Sequence, residues 1–476
     1  MAPAISSRRA QLPFATLEYA ETSYTSAMND ANAQAAIRFG LGKIPGQDAD
    51  SDPRGALKAQ LKGPDPGQDA GAFDGLPAGL DGVDAIRADA MERRALLLAN
   101  TPLQGNFVSQ AHALYYADVG AQMGWAATTT ASFRERLVWF WTNHFTVSIL
   151  QGETAPLVGA MVREAIRPHV NGNFTDMVLA VERHPAMLRY LANENSIGPD
   201  SVAGIRTGAG LNENLGRECM ELHTVGLKAG YTQADVTNMA KILTGWSVAP
   251  SDGGGDSTGF KYRPNAHEPG PQIVLGRSFD GGEQAGIDAL TFLSRYPTTY
   301  QLLAEKLVTH FVADNPPPKA VAHIANVLRD TGGDLGAASA ALVDVPEAWK
   351  PLTKLKTPLE YMVSAVRAAP PADGQPPVDY IGTLNQLGQP LWGAPLPNGW
   401  PDLAASWDGS DAIMARINWV FTYAGRFDNG GMQPSDIAGV ALGHLLRPAT
   451  AQAIATAGSR REAVTMLFTA PEFQRR

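Results

Sequence analysis

The chain has 476 residues, enough to bury a large core in one domain or several lobes, and its 44% apolar and 18% charged content is that of a folded globular protein. A formal net charge of −9, with no cluster of Lys and Arg, argues against sequence-independent binding to nucleic acid or an anionic membrane. The single cysteine, Cys219, excludes an intrachain disulfide and a thiolate zinc cage, and no stretch approaches the roughly 18 apolar residues of a membrane span.

Ser7-Arg8-Arg9 looks like the start of a twin-arginine export signal. Gln11, Glu18, Glu21 and Asn29 interrupt the stretch beyond the arginines and no apolar region develops, so no cleavable signal peptide is expected. A cysteine-poor chain suits cytoplasm and periplasm equally. Residues 17–38 favour helix. Residues 40–82 are dense in Gly, Pro and Asp around a short helical piece at 56–61, as a long ordered loop or a mobile linker would be. Helical patterns come next at 83–99, 104–126, 132–148, 152–167, 173–193, 213–225 and 233–244. Ser132-Phe133-Arg134-Glu135 reads as a capping box, and Thr232-Gln233-Ala234-Asp235 as a weaker one. Behind the latter, Val236, Met239, Ala240 and Leu243 recur at helical spacing, marking one buried stripe.

Residues 247–282 break the pattern; Gly253-Gly254-Gly255 opens a loop, and Ile273-Val274-Leu275 suits a brief strand. Helices resume at 283–314, 317–330, 357–369, 410–424, 434–446 and 460–469. The fold class is therefore mainly α: a large, irregular multi-helix globular fold with long Gly/Pro-rich loops and at most a few short strands. The expected organisation is an N-terminal part, 1–80, and a main helical domain, 81–476, with a candidate lobe boundary near 248–282.

Two motifs fail on context. Gly255-Asp256-Ser257-Thr258-Gly259 matches the nucleophile elbow by letter, but that elbow needs a strand before it and a helix after. Asp48, Asp50 and Asp52 imitate a calcium loop, yet Pro53 stands where glycine is needed and Ala59 where a bidentate glutamate is needed.

The chemistry-bearing block runs from Ser132 to Trp246. In Trp139-Phe140-Trp141-Thr142-Asn143-His144-Phe145, His144 shares a helix face with Trp141, Phe140 and Leu137. That face is expected to be buried, so the imidazole needs a carbonyl, a carboxylate or a metal as partner. Further on, Asn212 can cap a helix that Gly226 closes. Leu215, Cys219 and Leu222 form its apolar stripe, and Asn214, Glu218 and Glu221 a polar stripe flanked by Arg217. By the α-helical period His223 lies about 140° from Glu218, so one regular helix cannot offer both to one metal. Two carboxylates at i, i+3 can share an ion, with His144 the leading candidate for its imidazole. The plainer alternative is a solvated face with an Arg217–Glu221 pair at i, i+4.

These segments resemble the signature of the bacterial family catalogued as domain of unknown function 1800. The resemblance rests on Trp141 to Phe145, Asn212 to Asn214, Arg217-Glu218, Glu221 to Gly226, Tyr231 to Gln233 and Thr244 to Trp246. It continues through Asn173-Phe174, Pro185 to Leu191, His267-Glu268, Lys306-Leu307, Gly388-Gln389-Pro390, Gly399-Trp400 and Pro471 to Gln474, over about residues 80–476. The family usually has Leu-Asp-Asn where this chain has Leu191-Ala192-Asn193, and His-Pro where it has Tyr296-Pro297. The resemblance implies no settled activity; it implies a partner from a sulfatase- or phosphatase-like family of exported proteins.

Two functions are compatible with these residues. One is a metal-dependent enzyme with a buried His/Glu site. Its ligands to zinc, iron or manganese would come from His144, Glu218, Glu221, His223 and His267, with Glu218, Glu221, Arg217 and Asn143 doing the chemistry. The other is a non-catalytic binding or assembly protein, accessory to an exported partner or a surface polysaccharide. In it Trp392, Trp400 and Trp407 line a sugar-binding surface.

Overall fold

The structure, a computed structural model, describes residues 31–372, 374–375, 377–428 and 431–476. The N-terminal arginine pair and most of the expected 17–38 helix lie outside the described residues. The fold is mainly α, as expected. Among the described residues, strands form two antiparallel ribbons, Trp246–Val248 with Phe260–Tyr262 and Gln272–Val274 with Arg277–Phe279. Both lie within or beside the stretch where the helical pattern breaks.

Several boundaries have local causes. Thr232 accepts from the Asp235 amide while the Asp235 carboxylate accepts from the Thr232 amide, so the Gln233–Ile242 helix starts on a complete capping box. Ser132 does not cap. Ala131 holds the cap position of the Ser132–His144 helix, the Phe133 amide is taken by Gln60 Oε1 at 2.9 Å, and Glu135 turns to Arg167. A distant partner displaced the local one. The expected 173–193 helix is two, Phe174–Arg183 and Pro185–Tyr190, and 283–314 is Glu283–Ser294 and Pro297–Phe311. Each breaks before a proline, where helical backbone is disfavoured. Leu335–Asp344, Tyr380–Gln386 and Pro448–Thr456 are helices the sequence pattern did not reveal.

The Gly/Pro/Asp-rich stretch 40–82 is packed against the body. Leu41, Leu57, Leu61 and Phe73 are buried, and Arg134 donates to the Gly63 and Pro64 carbonyls. One connected apolar core runs from Ala35 to Phe473, with Phe133, Leu137 and Trp141 of the Ser132–His144 helix fully inside it. By contrast, Gly79–Leu98 and Gln110–Thr128 pack only through their near halves. Asp89 is the last buried residue of the first and Tyr115 the first of the second, leaving 90–114 as an unburied hairpin arm.

Candidate functional site

The Ser132–His144 helix carries two polar faces, and each meets the Pro297–Phe311 helix. On one face His144 is buried, and its ring is closed to further ligands. Lys306 Nζ donates to Nδ1 at 3.0 Å, so Nε2 carries the proton and donates to the His223 carbonyl at 3.1 Å. Burial, then the neighbouring Lys306, holds the imidazole well below its usual pKa, and burial brings Lys306 down to about 8. Lys306 also donates to the Leu222 carbonyl at 3.1 Å. Of the partners expected for His144 the ring has the carbonyl, joined by a lysine, and neither Glu218 nor Glu221 bonds it.

His223 points elsewhere. Its Nδ1 donates to Glu182 Oε1 at 2.6 Å, with both side chains essentially without exposure. Glu218 and Glu221 lie nearby, each half-buried. Burial raises the Glu218 carboxyl, and His223 is its strongest opposing charge. Glu221 accepts a long 3.4 Å bond from Tyr231 Oη. Arg217 pairs with Glu213 at 2.9 Å and with Gln233, so the expected Arg217–Glu221 pair is replaced by one a turn earlier. His267 sits apart, its Nε2 accepting from the Gly282 amide at 2.7 Å and its Nδ1 donating to the Thr244 carbonyl at 2.9 Å. Among the described residues, no three His, Cys, Asp or Glu side chains converge closely enough to hold a metal as they stand. His144 and His267 each have both ring nitrogens engaged.

The other face of the same helix, Arg136, Trp139, Phe140 and Asn143 at i, i+3, i+4 and i+7, opens on a cleft. Trp139, Phe140, Trp392 and Trp400 supply aromatic walls, with Pro390 and Pro401 beside them. Asn143 positions one wall: its Nδ2 donates to the Trp400 carbonyl at 2.9 Å and its Oδ1 accepts from the Trp400 amide at 2.8 Å. The floor is charged. Glu360 pairs with Arg136 at 2.6 Å and Arg476 at 2.8 Å, and Asp402 pairs with Arg476 at 2.6 Å. His310 bridges them, with Nδ1 donating to Asp402 at 3.0 Å and Nε2 accepting from Arg136 Nε at 3.3 Å.

Electrostatics fix the protonation states of this floor. Burial opposes ionisation of Glu360 and Asp402, but the groups around them win: Arg136 and Arg476 beside Glu360, and the His310 N–H and Arg476 beside Asp402, hold both carboxyls below their usual range. Burial pushes His310 down to about 4. At neutral pH the floor is two carboxylates, two guanidiniums and a neutral imidazole whose nitrogens are both bonded.

Glu360, His310, Asp402 and Arg476 were not singled out from the sequence. They come from four widely separated segments, and no spacing links them. The signals pointing to them were Gln389-Pro390 and Gly399-Trp400, segments of the resemblance that line or frame this cleft. Trp392 and Trp400, expected to face a sugar, share it, while Trp407 packs against Trp400 with the rings tilted by 50° and their centroids 6.0 Å apart. The letter-match elbow is a turn in which Asp256 Oδ1 accepts from the Thr258, Gly259 and Phe260 amides. Asp52 caps the Pro53–Ala59 helix through the Gly55 amide.

No helix among the described residues is long and apolar enough to cross a membrane. No curated protein and no solved structure matches this chain. A family pattern described as "Protein of unknown function (DUF1800)" matches residues 34–475, which extends the likeness well upstream of the segments that first suggested it. With nearly its whole length covered, the chain belongs to the DUF1800 family.

Proposed function

We propose that this protein is a binding protein whose aromatic cleft takes a polyhydroxylated ring, a saccharide unit, and that it serves as an accessory to an exported partner or a surface polysaccharide. The observation that carries this reading is the meeting of Trp139, Trp392 and Trp400 above an ion-paired floor. Flat aromatic faces suit the C–H faces of a sugar ring, and Gln122, Thr142 and Gln389 at the cleft suit its hydroxyls.

The cleft is read as a binding site rather than a reaction centre because its ionisable groups are committed. A general acid needs a carboxyl held protonated near neutral pH, and both carboxyls here are held ionised. A general base needs a free nitrogen, and His310 spends both on Asp402 and Arg136. What such a floor does well is stay rigid.

Tryptophan fluorescence titrated with a panel of neutral and acidic oligosaccharides tests the proposal. A saturable change with at least one of them, abolished in Trp139→Ala while the thermal melt is retained, is the expected result. No saturable response across the panel, or unchanged binding by the variant, defeats it.

A further inference from the structure

Between Arg93 and Ala117 the sequence has no acidic residue, although 47 of its 476 residues are Asp or Glu. That interval makes up most of the unburied arm. Arg93 lies over the Phe107 ring at 5.2 Å, and among the described residues neither it nor Arg94 is ion-paired. Asp89, at the base, is taken up by Ser109 and the Gln110 and Ala111 amides. Leu97, Leu98 and Val108 are 59%, 76% and 81% exposed. Single exposed apolar residues are ordinary, but three gathered at one tip are not. The tip also closes its own backbone. The Thr101 amide donates to the Leu96 carbonyl at 2.9 Å and the Phe107 amide to the Leu103 carbonyl at 3.0 Å, while Asn106 Nδ2 donates to the Pro102 carbonyl at 2.9 Å. A loop that enters an apolar medium needs such internal bonds, because no water is there to supply them.

We propose that this arm docks the protein on an anionic phospholipid bilayer, with Leu97, Leu98 and Val108 entering the acyl boundary and Arg93 and Arg94 meeting the headgroup phosphates. The helical run from Ala90 to Leu98 carries the tip about 13 Å beyond the tie at Asp89, at 1.5 Å per residue. Surface-bound apolar elements sink roughly 5–10 Å into the headgroup and acyl boundary, which is within that reach. Arginine stems can lie along the apolar layer while their guanidiniums stay at the phosphates. A net charge of −9 gives the whole chain no long-range pull toward such a surface, so apolar insertion drives docking and the two arginines select the lipid. A second copy of the chain fits the tip less well. Two arms meeting end to end bring Arg93 and Arg94 against like charges, and the interval holds no acid to answer them.

Flotation of the untagged full-length chain with vesicles of phosphatidylcholine, alone or with about a third phosphatidylglycerol, tests the docking. The expected result is flotation with the mixed vesicles, weakened by added salt. Leu97→Ser combined with Leu98→Ser lowers the partition coefficient by about tenfold or more. Arg93→Gln combined with Arg94→Gln lowers it about 20- to 30-fold and removes the preference for phosphatidylglycerol. All four side chains are exposed, so the circular dichroism melt is retained. The single native thiol, Cys219, is buried, so an environment-sensitive dye on Val108→Cys reads the tip directly, and its emission shifts to the blue on the mixed vesicles. No flotation with the mixed vesicles, an unshifted dye, or wild-type flotation by the leucine variant overturns the proposal. So does a dimer, seen by sedimentation velocity, that the leucine variant abolishes. None of these measurements involves a saccharide, so they leave the reading of the cleft to its own titration.

Discussion

Ala192 holds a left-handed backbone conformation, φ +53° and ψ +30°, just before Asn193. Such a backbone costs an ordinary residue about 1–2 kcal/mol, and Asn or Asp tolerate it best because their short side chains bond locally. The family resemblance expects aspartate at this position, and the backbone supplies a reason that needs no ligand role. Ala192→Asn is therefore expected to raise stability by about 1 kcal/mol, read as a higher midpoint in urea denaturation. A lowered midpoint would show that the turn is not strained. The same logic touches Tyr296, where the family usually places histidine before proline. At His184-Pro185 the imidazole Nδ1 accepts from the Ala186 amide and caps the following helix, whereas Tyr296 offers no side-chain cap to Pro297–Phe311. Both departures from the family pattern have a backbone reading.

Among the elements, the hairpin arm behaves differently from its neighbours. Helices 20 and 19 residues long leave the body together, yet nothing between residues 90 and 114 is buried. The base is tied by Asp89, which accepts from Ser109 Oγ and the Gln110 and Ala111 amides. Beyond that tie, helix propensity and exposed contacts alone hold the arm. Helices of this length without an apolar face against a core are marginal in water. Met91, Leu97, Leu98 and Val108 are more than half exposed. Native-state hydrogen exchange should therefore show the amides of 92–109 opening far more readily than those of Ser132–His144, with opening free energies well below the global value. Equal protection in the two would mean that something covers the arm in solution.

Across the whole molecule, the buried ion network joins parts of the chain that are remote in sequence. Arg136, His310, Glu360, Asp402 and Arg476 meet at one place, and Lys354 adds a 3.7 Å contact to Asp402. This makes stability depend on pH in a defined direction. Burial holds His310 near 4 in the folded state against an ordinary 6.5, so between those values the unfolded chain binds a proton that the folded chain refuses. Stability is complete above pH 6.5 and is lost as pH falls toward 4, by about 2 kcal/mol between pH 7 and pH 5 from this group. His144, depressed by burial and by Lys306, acts in the same direction. The Glu360 and Asp402 carboxylates, held low, lose their contribution only at still lower pH. Urea titrations at pH 7 and pH 5 should show this loss, and His310→Gln should flatten the slope. A wild-type stability flat across that window would contradict neutral burial of His310.

From the sequence alone, whatever depends on neighbours a few residues apart could be read. The helical class came from apolar spacing, the Thr232–Asp235 box from four adjacent residues, and the burial of His144 from its place among Trp141, Phe140 and Leu137. Family membership was legible because its segments are themselves local. The tertiary structure alone decided where polar side chains found partners. It gave His144 to Lys306, His223 to Glu182, Arg217 to Glu213 and the Phe133 amide to Gln60. It also inserted a π turn that changed which face His223 occupies. The reason is physical: periodicity is a property of the backbone and is written into every turn. A buried charge is satisfied by whichever group the packing brings within about 3 Å, and that group is set by the whole chain.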